Sequence, residues 1–185
     1  MLEIIGVLVW LFTPAGIANM SPVFAKNIPL LKKYKQPVDF GKTYRGKRLL
    51  GDNKTVRGFS AGTLLATGCG ILQVILASNW AFFAEITDVI DYQSWVAVLF
   101  AAVVGFGALV GDSIASFAKR QLDIAAGESW FPFDQIDFIA GALVFSLAFF
   151  TLPFEYYIVA FGLALVLHLV VKFIGWIVGL EDKPF

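Results

Sequence analysis

This chain has few charged residues and almost none of the side chains from which soluble metal or disulfide sites are built. Charged side chains make up 15% of its 185 residues, whereas soluble domains carry about 25%. It has one histidine, His168, and one cysteine, Cys69, which excludes an internal disulfide framework and a cysteine metal cluster. The start of the chain also lacks the basic stretch and small-residue cleavage site of a signal peptide. Its first apolar run is therefore predicted to be a retained membrane span.

Long hydrophobic runs are what the chain has instead. Hydrophobic residues make up 58% of the sequence, and the mean hydropathy is +0.77. A helix that crosses a bilayer needs about 20 mostly apolar residues, and it satisfies its backbone hydrogen bonds internally. Five runs meet or approach this length, at about 2–18, 59–77, 95–118, 138–153 and 156–178. The sequence predicts an all-α integral membrane protein, a single domain over 1–185 with five transmembrane helices.

The basic residues are concentrated in one stretch of the chain. Of 14 Lys and Arg residues, ten lie between Lys26 and Arg57, although the formal net charge is zero. The loop between the second and third runs has acids and no Lys or Arg, and the next loop carries Lys119 and Arg120. Because cytoplasmic loops are enriched in basic residues, loops 20–58 and 119–135 are predicted to be cytoplasmic. The sequence therefore predicts a multi-pass protein of the cell membrane with its N-terminus outside and its C-terminus inside.

The first basic loop ends in a glycine-bounded stretch, Gly-Asp-Asn-Lys-Thr-Val-Arg-Gly at 51–58. One interpretation is a basic collar on anionic lipid headgroups, where each cation contributes about 1 kcal/mol. The other is a phosphate clamp, in which flexible backbone lets N–H groups approach phosphate oxygens. Lys54 would supply a point charge and Arg57 a two-pronged donor. The stretch does not match the Walker A pattern, and both interpretations stay open.

A second polar segment lies at the end of the third apolar run. Asp112, Ser116 and Lys119 are spaced i, i+4, i+7, so they share one face of a helix. Ser113 and Arg120 lie beside that face. Ionisable groups at a membrane edge are costly and usually functional. This helix end is therefore predicted to carry chemistry rather than to serve folding alone.

Two further carboxylates begin the fourth run. Asp134 and Asp137 are spaced i, i+3, which also places them on one helix face. Asp112 and Asp134 could flank a hard cation, since Mg²⁺ favours one or two protein carboxylates together with phosphate oxygens and water. The alternative is a set of salt bridges that joins Asp112 or Asp134 to Lys119, Arg120 or Lys172. The two interpretations do not exclude each other.

Taken together, these motifs resemble those of a known family. The stretch at 51–58, Gly-Asp-Ser-x-x-Ser-x-x-Lys-Arg at 111–120 and Pro-Phe-Asp-Gln-x-Asp at 132–137 resemble CDP-archaeol synthases, the archaeal counterparts of CDP-diacylglycerol synthases. The resemblance covers essentially the whole chain. In the wider family's signature, Gln135 stands in place of an arginine. The Lys-Asp pair and the His-Gly-Gly of that signature are replaced by Ala125-Ala126 and by 131–133.

The resemblance implies a reaction and roles for residues. CTP and an isoprenoid ether-lipid phosphate, unsaturated archaetidic acid, would give CDP-archaeol and pyrophosphate with Mg²⁺ as cofactor. It implies catalytic roles, and for the three aspartates metal ligation, for Asp112, Lys119, Asp134 and Asp137. It implies CTP or phosphate binding by Lys26, Asn27, Asn53, Lys54, Arg57, Ser113, Ser116 and Arg120. The cytoplasmic loops would form this active site at the inner membrane edge.

Two other functions compete with this reading. A CDP-alcohol phosphotransferase also uses carboxylates and Mg²⁺ at the inner edge, but its Asp-Gly-x-x-Ala-Arg core is absent from the sequence. A non-enzymatic transporter or anionic lipid-headgroup binder would use only the basic loop. Transporters often show internal repeats with paired broken helices, and no such pairing is visible between the halves of the chain. No nucleic acid or protein partner is implied.

Overall fold

The computed structural model describes residues 1–25, 35–125 and 128–178. Within them the chain forms six helices and one short hairpin. The helices are α1 (Leu2–Ala25), α2 (Val56–Asn79), α3 (Ala81–Ala84), α4 (Trp95–Gln121), α5 (Phe133–Ser146) and α6 (Phe154–Ile177), and the hairpin strands are β1 (Thr43–Tyr44) and β2 (Lys47–Arg48). The predicted helical membrane protein is thus confirmed in outline, whereas the hairpin in the basic loop departs from the all-α prediction.

Four helices in the described part of the chain are long and apolar enough to cross a membrane. They are Leu2–Ser21 within α1, and all of α2, α4 and α6. The predicted fourth span, 138–153, differs, because α5 runs from Phe133 to Ser146 and has 14 residues. At 1.5 Å per residue such a helix is about 21 Å long, shorter than the hydrocarbon core. Hydropathy misplaced it because the apolar residues 147–152 are turn and coil that lead to Pro153.

α4 lies at the centre of the bundle and packs against α1, α2 and α5. Its buried face includes Phe100 and Val104, both fully buried, in one core with Leu8 and Leu11 of α1. After Trp95 and up to Gly111 α4 has no polar side chain, and its ionisable residues all lie in its last turns, from Asp112 onward. The core therefore fixes the helix that carries much of the predicted site.

α4 and α5 touch backbone to backbone through glycine. A Cβ on Gly141 of α5 would meet the carbonyl oxygen of Gly107 and would lie 2.8 Å from Cα of Gly111. The Gly-x-x-x-Gly spacing at 107–111 allows such an approach between membrane helices. This seam brings the end of α4 that bears Asp112 beside the first turn of α5.

The hairpin holds the basic loop against the end of α4. Its two-residue turn has positive φ at Arg45 (52°) and Gly46 (78°), the conformation that suits tight hairpins. Lys47 Nζ donates to Asp123 Oδ2 at 2.6 Å and to the carbonyl of Gln121 at 2.8 Å. The lysine thereby satisfies a carbonyl group at the C-terminus of α4 and adds a favourable positive charge there. The following segment, 50–54, is carried to the same end of the bundle.

Candidate active site

A polar cavity of about 440 Å³ lies at the end of the bundle where α4 ends and α5 begins. Side chains from the basic loop, from the last turns of α4, from the start of α5 and from α6 line it. Most of the predicted site residues are among them: Asn53, Lys54, Asp112, Ser116, Lys119, Arg120, Asp134 and Asp137. Residues from distant segments, such as Lys54 and Asp112, which are 58 positions apart, thus meet in one place, which their helical spacing alone did not establish.

Two lysine–carboxylate pairs tie the walls of the cavity together. Lys54 Nζ pairs with Asp112 Oδ2, which joins the basic loop to α4. Lys119 Nζ pairs with Asp134 Oδ2 at 2.7 Å, which joins α4 to α5. The four side chains are between 10% and 24% exposed, so each charge is partly removed from water and depends on its partner. Salt bridges of the kind weighed as the alternative are therefore present, and they lie inside the cavity.

Asp134 also organises the connection that precedes α5. Its Oδ2 accepts a hydrogen bond from the N–H of Trp130 at 2.9 Å. Lys119, which is buried, donates to the backbone carbonyl of Glu128 as well as to Asp134. Both of these bonds to the Asp134 carboxylate are accepted by the same oxygen, Oδ2. The position in the first turn of α5 favours the negative charge.

The predicted three-carboxylate metal site is not formed as a cluster. Asp112, Asp134 and Asp137 line the same cavity, but the described residues contain no group of three His, Cys, Asp or Glu side chains placed to hold a metal ion. Two of the three carboxylates face lysines instead. Spacing within a helix could place each carboxylate on a face, but it could not reveal which cation each one meets.

Two of the predicted substrate-binding residues that the structure describes, Ser113 and Arg57, do not line the cavity. Ser113 is buried, and its hydroxyl donates to the carbonyl of Leu109 at 2.8 Å, because one step from Asp112 turns it to another face of α4. Arg57 is also buried and lies in the first turn of α2 rather than in the loop. The structure does not bring these two side chains to the cavity lining. Lys26 and Asn27 lie outside the described residues.

Other polar residues of the cavity were not singled out from the sequence as site residues. They are Asn19, Asp52, Glu128, Ser129, Gln135, His168 and Lys172. His168 and Lys172 are spaced i, i+4 near the end of an otherwise apolar helix, α6. This spacing is the sequence feature that could have identified them as site residues, since two polar side chains on one face of a membrane helix usually face a cavity or a partner.

Asp39 organises the loop that supplies Lys54. Its buried carboxylate accepts hydrogen bonds from the N–H groups of Gly41 (3.0 Å), Leu50 (3.0 Å) and Gly51 (3.2 Å) and from the guanidinium of Arg48 (3.0 Å). Although burial alone would raise the pKa of Asp39, these hydrogen bonds hold it well below the ordinary value. The sequence offered only an acid within a basic loop, and the contacts make it the anchor of that loop.

We expect Asp39→Asn to loosen the loop and to weaken nucleotide binding without unfolding the bundle. The amide presents N–H groups toward donors and loses the charge that holds Arg48. Protease cleavage within 37–52 should become faster, and the KM for CTP should rise. Asp123→Asn removes a carboxylate that is 77% exposed, and Lys47 keeps its second bond, to the carbonyl of Gln121, so this variant should change little. Equal protease sensitivity of the two variants would contradict the anchoring role.

The same carboxylate predicts how the loop responds to pH. Since the folded pKa of Asp39 is depressed, its contribution to stability is fully present above its unfolded pKa of about 3.9. That contribution is lost as the pH falls through the folded pKa. Protease protection of the loop should therefore be constant from neutral pH to about pH 5 and decline in stronger acid.

The fold and the site define a membrane-embedded helical protein with a polar cavity at one end of its bundle, and lysine and aspartate side chains line that cavity. Comparisons with known proteins agree with this class. The sequence model of the CarS-like family, CDP-archaeol synthase, matches residues 1–185. A CDP-archaeol synthase from Thermofilum pendens is 36% identical over 174 residues, 93% of this chain and 77% of the relative. One from Methanocaldococcus jannaschii is 33% identical over 177 residues, 94% of this chain and 93% of the relative.

A solved structure supports the same relationship. It is described as an intramembrane enzyme for archaeal membrane lipids biosynthesis. It matches with a TM-score of 0.72 and 32% identity over 89% of this chain and 91% of that chain. The chain belongs to the CDP-archaeol synthase family.

Proposed function

We propose that this protein is a CTP-dependent cytidylyltransferase that makes CDP-archaeol and pyrophosphate. Its substrates are CTP and an isoprenoid ether-lipid phosphate, as the names of its relatives imply. The observation that carries the proposal is the single cavity that gathers Lys54, Asp112, Lys119 and Asp134 from three separate segments. Such a set of cations and carboxylates suits phosphate groups that must be held, brought together and neutralised.

The chemistry requires an oxygen of the lipid phosphate to attack the α-phosphorus of CTP. A new P–O bond forms there, and the bond to the β-phosphate oxygen breaks, so its electron pair leaves with pyrophosphate. The attacking phosphate is already anionic, and no strong general base is needed. Lys54, Lys119 and Arg120 would hold the triphosphate and stabilise the charge that develops on the leaving group. Catalysis then comes mainly from positioning two anions that would otherwise repel each other.

The donor set of the cavity fits Mg²⁺. Asp112, Asp134 and Asp137 do not form a ready-made cluster of three carboxylates, but Mg²⁺ needs only one or two protein carboxylates when substrate phosphates and water complete its ligands, so these residues would hold the ion together with the bound nucleotide. When bound, Mg²⁺ neutralises phosphate charge and orients the reacting groups. Lys54 and Lys119, which pair with two of these carboxylates, would exchange their partners for phosphate oxygens as the nucleotide enters. Asn53, Ser116 and the predicted contacts of Lys26 and Asn27 would complete the nucleotide site.

We also propose that the cavity faces the cytoplasm. Residues near the C-terminal ends of α1, α4 and α6 line the cavity together with the basic loop that leads into α2. The positive-inside rule then places the N-terminus outside and the C-terminus inside. CTP would enter from the cytoplasm, and the lipid phosphate would reach the same site from the inner leaflet.

Purified protein in lipid vesicles tests the function directly. With CTP, Mg²⁺ and digeranylgeranyl glycerol phosphate, CDP-lipid and pyrophosphate should form in equal amounts. Omission of the lipid phosphate should stop pyrophosphate release. Nucleotide binding without turnover on any lipid phosphate would instead favour the non-enzymatic lipid or nucleotide binder.

Lys54→Gln should raise the KM for CTP strongly, because it removes the cation that links the basic loop to Asp112. Loss of a charge-assisted contact of about 1.5–3 kcal/mol corresponds to roughly a 10- to 100-fold effect. Lys42→Gln, in the exposed part of the same loop, is the matched control and should leave the KM unchanged. An equal rise in both variants would mean that the loop contributes only diffuse positive charge, as the collar interpretation holds.

A further inference from the structure

α1 continues as a helix through a proline. Pro14 is fully buried and lies in the interior of the helix, which runs from Leu2 to Ala25. Because proline has no N–H, it cannot make the hydrogen bond that residue 14 of a regular helix donates to the carbonyl of Trp10, four residues earlier. A carbonyl inside a membrane bundle needs another donor, since lipid supplies none. The partner of this carbonyl must therefore come from a neighbouring helix.

Gln73 of α2 supplies that donor. Its Nε2 donates to the carbonyl of Trp10 at 2.6 Å, and the side chain is 3% exposed. From Gly58 onward, the other buried residues of α2 are glycine and alanine: Gly62, Ala66, Gly70 and Ala77. A polar side chain on such a face is costly unless a neighbouring helix uses it. Gln73 is used in this way, because it restores the hydrogen bond that Pro14 removes from α1.

The hydrogen bond lies where α1 divides into two parts. Before Pro14, Leu11 and its neighbours belong to the main core of the bundle. After Pro14, Ala18 is fully buried in a separate small cluster with Ala66 of α2. Small side chains allow helices to approach closely, but contacts between such smooth faces have little direction. The directional bond from Gln73 therefore fixes the tilt and rotation of the second part of α1 relative to the first.

The second part of α1 brings Asn19 to the polar cavity. Asn19 lines that cavity together with Lys54 and Asp112. It follows Pro14 by five residues, about 7.5 Å along the helix axis. A tilt of about 10° at Pro14 would therefore move Asn19 by about 1.3 Å. A displacement of that size is enough to break a hydrogen bond to a bound substrate.

We propose that Gln73 is a positioning residue that holds the end of α1 so that the side-chain amide of Asn19 binds CTP in the polar cavity. The assignment rests on the proposed function. Gln73 does not line the cavity, and its partner Trp10 precedes Asn19 by nine residues, about 14 Å of helix. It therefore acts through α1 and does not touch the substrate. The amide of Asn19 offers donors and an acceptor, which suit the phosphate oxygens and ribose hydroxyls of a nucleotide.

A first double-mutant cycle pairs Gln73→Met with Asn19→Ala. The Kd for CTP with Mg²⁺, from calorimetric titration of the purified protein without lipid phosphate, should rise about 3- to 10-fold in each single variant. In turnover assays kcat should stay within about twofold. In the Asn19→Ala background, Gln73→Met should raise the Kd no further, because the amide that it positions is already gone. Thr67→Val is the matched control and should leave the Kd unchanged, since the Thr67 hydroxyl bonds within α2, to the carbonyl of Thr63.

A second cycle pairs Gln73→Met with Pro14→Ala. Alanine at position 14 restores an N–H for the carbonyl of Trp10, so the bond from Gln73 is no longer needed. In this background Gln73→Met should change the Kd for CTP by less than about twofold. Hydrogen exchange of the backbone amides of 15–21 is a readout that needs no nucleotide. It should be about 3- to 10-fold faster in Gln73→Met and native-like when Pro14→Ala is added.

The two cycles separate positioning from support of the fold alone. Faster exchange in Gln73→Met with an unchanged Kd for CTP would overturn the positioning role. A rise in Kd that is equally large with and without Asn19, or with and without Pro14, would overturn it too. A native protein that binds CTP but makes no CDP-lipid would overturn the proposed function, while the Kd cycles would still decide the role of Gln73. A native protein that does not bind CTP would overturn both.

Discussion

Asp134→Asn should abolish nearly all CTP- and Mg²⁺-dependent pyrophosphate release. The substitution keeps the size of the side chain and an acceptor for the N–H of Trp130, but it removes the charge that faces Lys119. It also removes a carboxylate proposed to hold Mg²⁺. Loss of one preorganised electrostatic group in an active site lowers kcat by about 10²- to 10³-fold. Activity in vesicles, measured over a range of Mg²⁺ concentrations, should show a loss that added Mg²⁺ only partly restores.

A double variant and a control variant separate this catalytic effect from misfolding. Lys119 is buried and would lose its ionic partner, so some loss of thermal stability in detergent is expected too. The double variant Asp134→Asn with Lys119→Met removes both charges and should recover stability but not activity. Asp88→Asn, in the exposed loop that precedes α4, is the control and should behave like the native protein. Near-normal turnover in Asp134→Asn would eliminate this carboxylate from the site.

Gly141→Ala should damage both stability and activity. Its Cβ would meet the carbonyl oxygen of Gly107 and approach Cα of Gly111 to 2.8 Å, and neither backbone atom can move without its helix. Overpacking of this kind costs about 1–3 kcal/mol, and backbone neighbours place it at the upper end. α5 would shift away from α4, which carries Asp134 and Asp137 away from Asp112. We expect a lower melting temperature in detergent and a fall in kcat of at least about tenfold.

Matched glycines on the same kind of helix provide the control. A Cβ at Gly68 of α2 or at Gly162 of α6 would meet nothing within 4 Å. Gly68→Ala and Gly162→Ala should therefore leave melting and turnover unchanged, or raise stability slightly through helix propensity. If Gly141→Ala melts like these two variants, the helices can separate freely, and the seam does not position the carboxylates.

Local patterns in the sequence were sufficient to predict one half of the site. The spacing of Asp112, Ser116 and Lys119 predicted a shared helix face, and all three line the cavity. This worked because the period of an α-helix is a local property, and α4 is regular through these residues. The same reasoning could not predict that Ser113 donates to the carbonyl of Leu109, since a side chain next to the cavity face of a helix can point toward the cavity or away from it.

Hydropathy predicted spans well where apolar residues and helix coincide, and failed where they do not. The ends of α2 and α4 differ from the predicted runs by only a few residues. α5 differs more, because hydropathy excluded Asp134 and Asp137 from the helix and included the apolar coil before Pro153. A carboxylate in the first turn of a helix, such as Asp134, lowers the mean hydropathy of that stretch, but the helix dipole favours its negative charge there.

The sequence by itself determined that the chain is a helical membrane protein with phosphate-binding and metal-binding residue types in two segments. Composition, helical period and motif spacing are carried by neighbouring residues, and they need no knowledge of the packed chain. Only the tertiary structure decided which charges meet: Lys54 with Asp112, Lys119 with Asp134, and Asp39 with the loop around Gly51. These pairings depend on the glycine seam and the hairpin, which set distances between segments far apart in sequence.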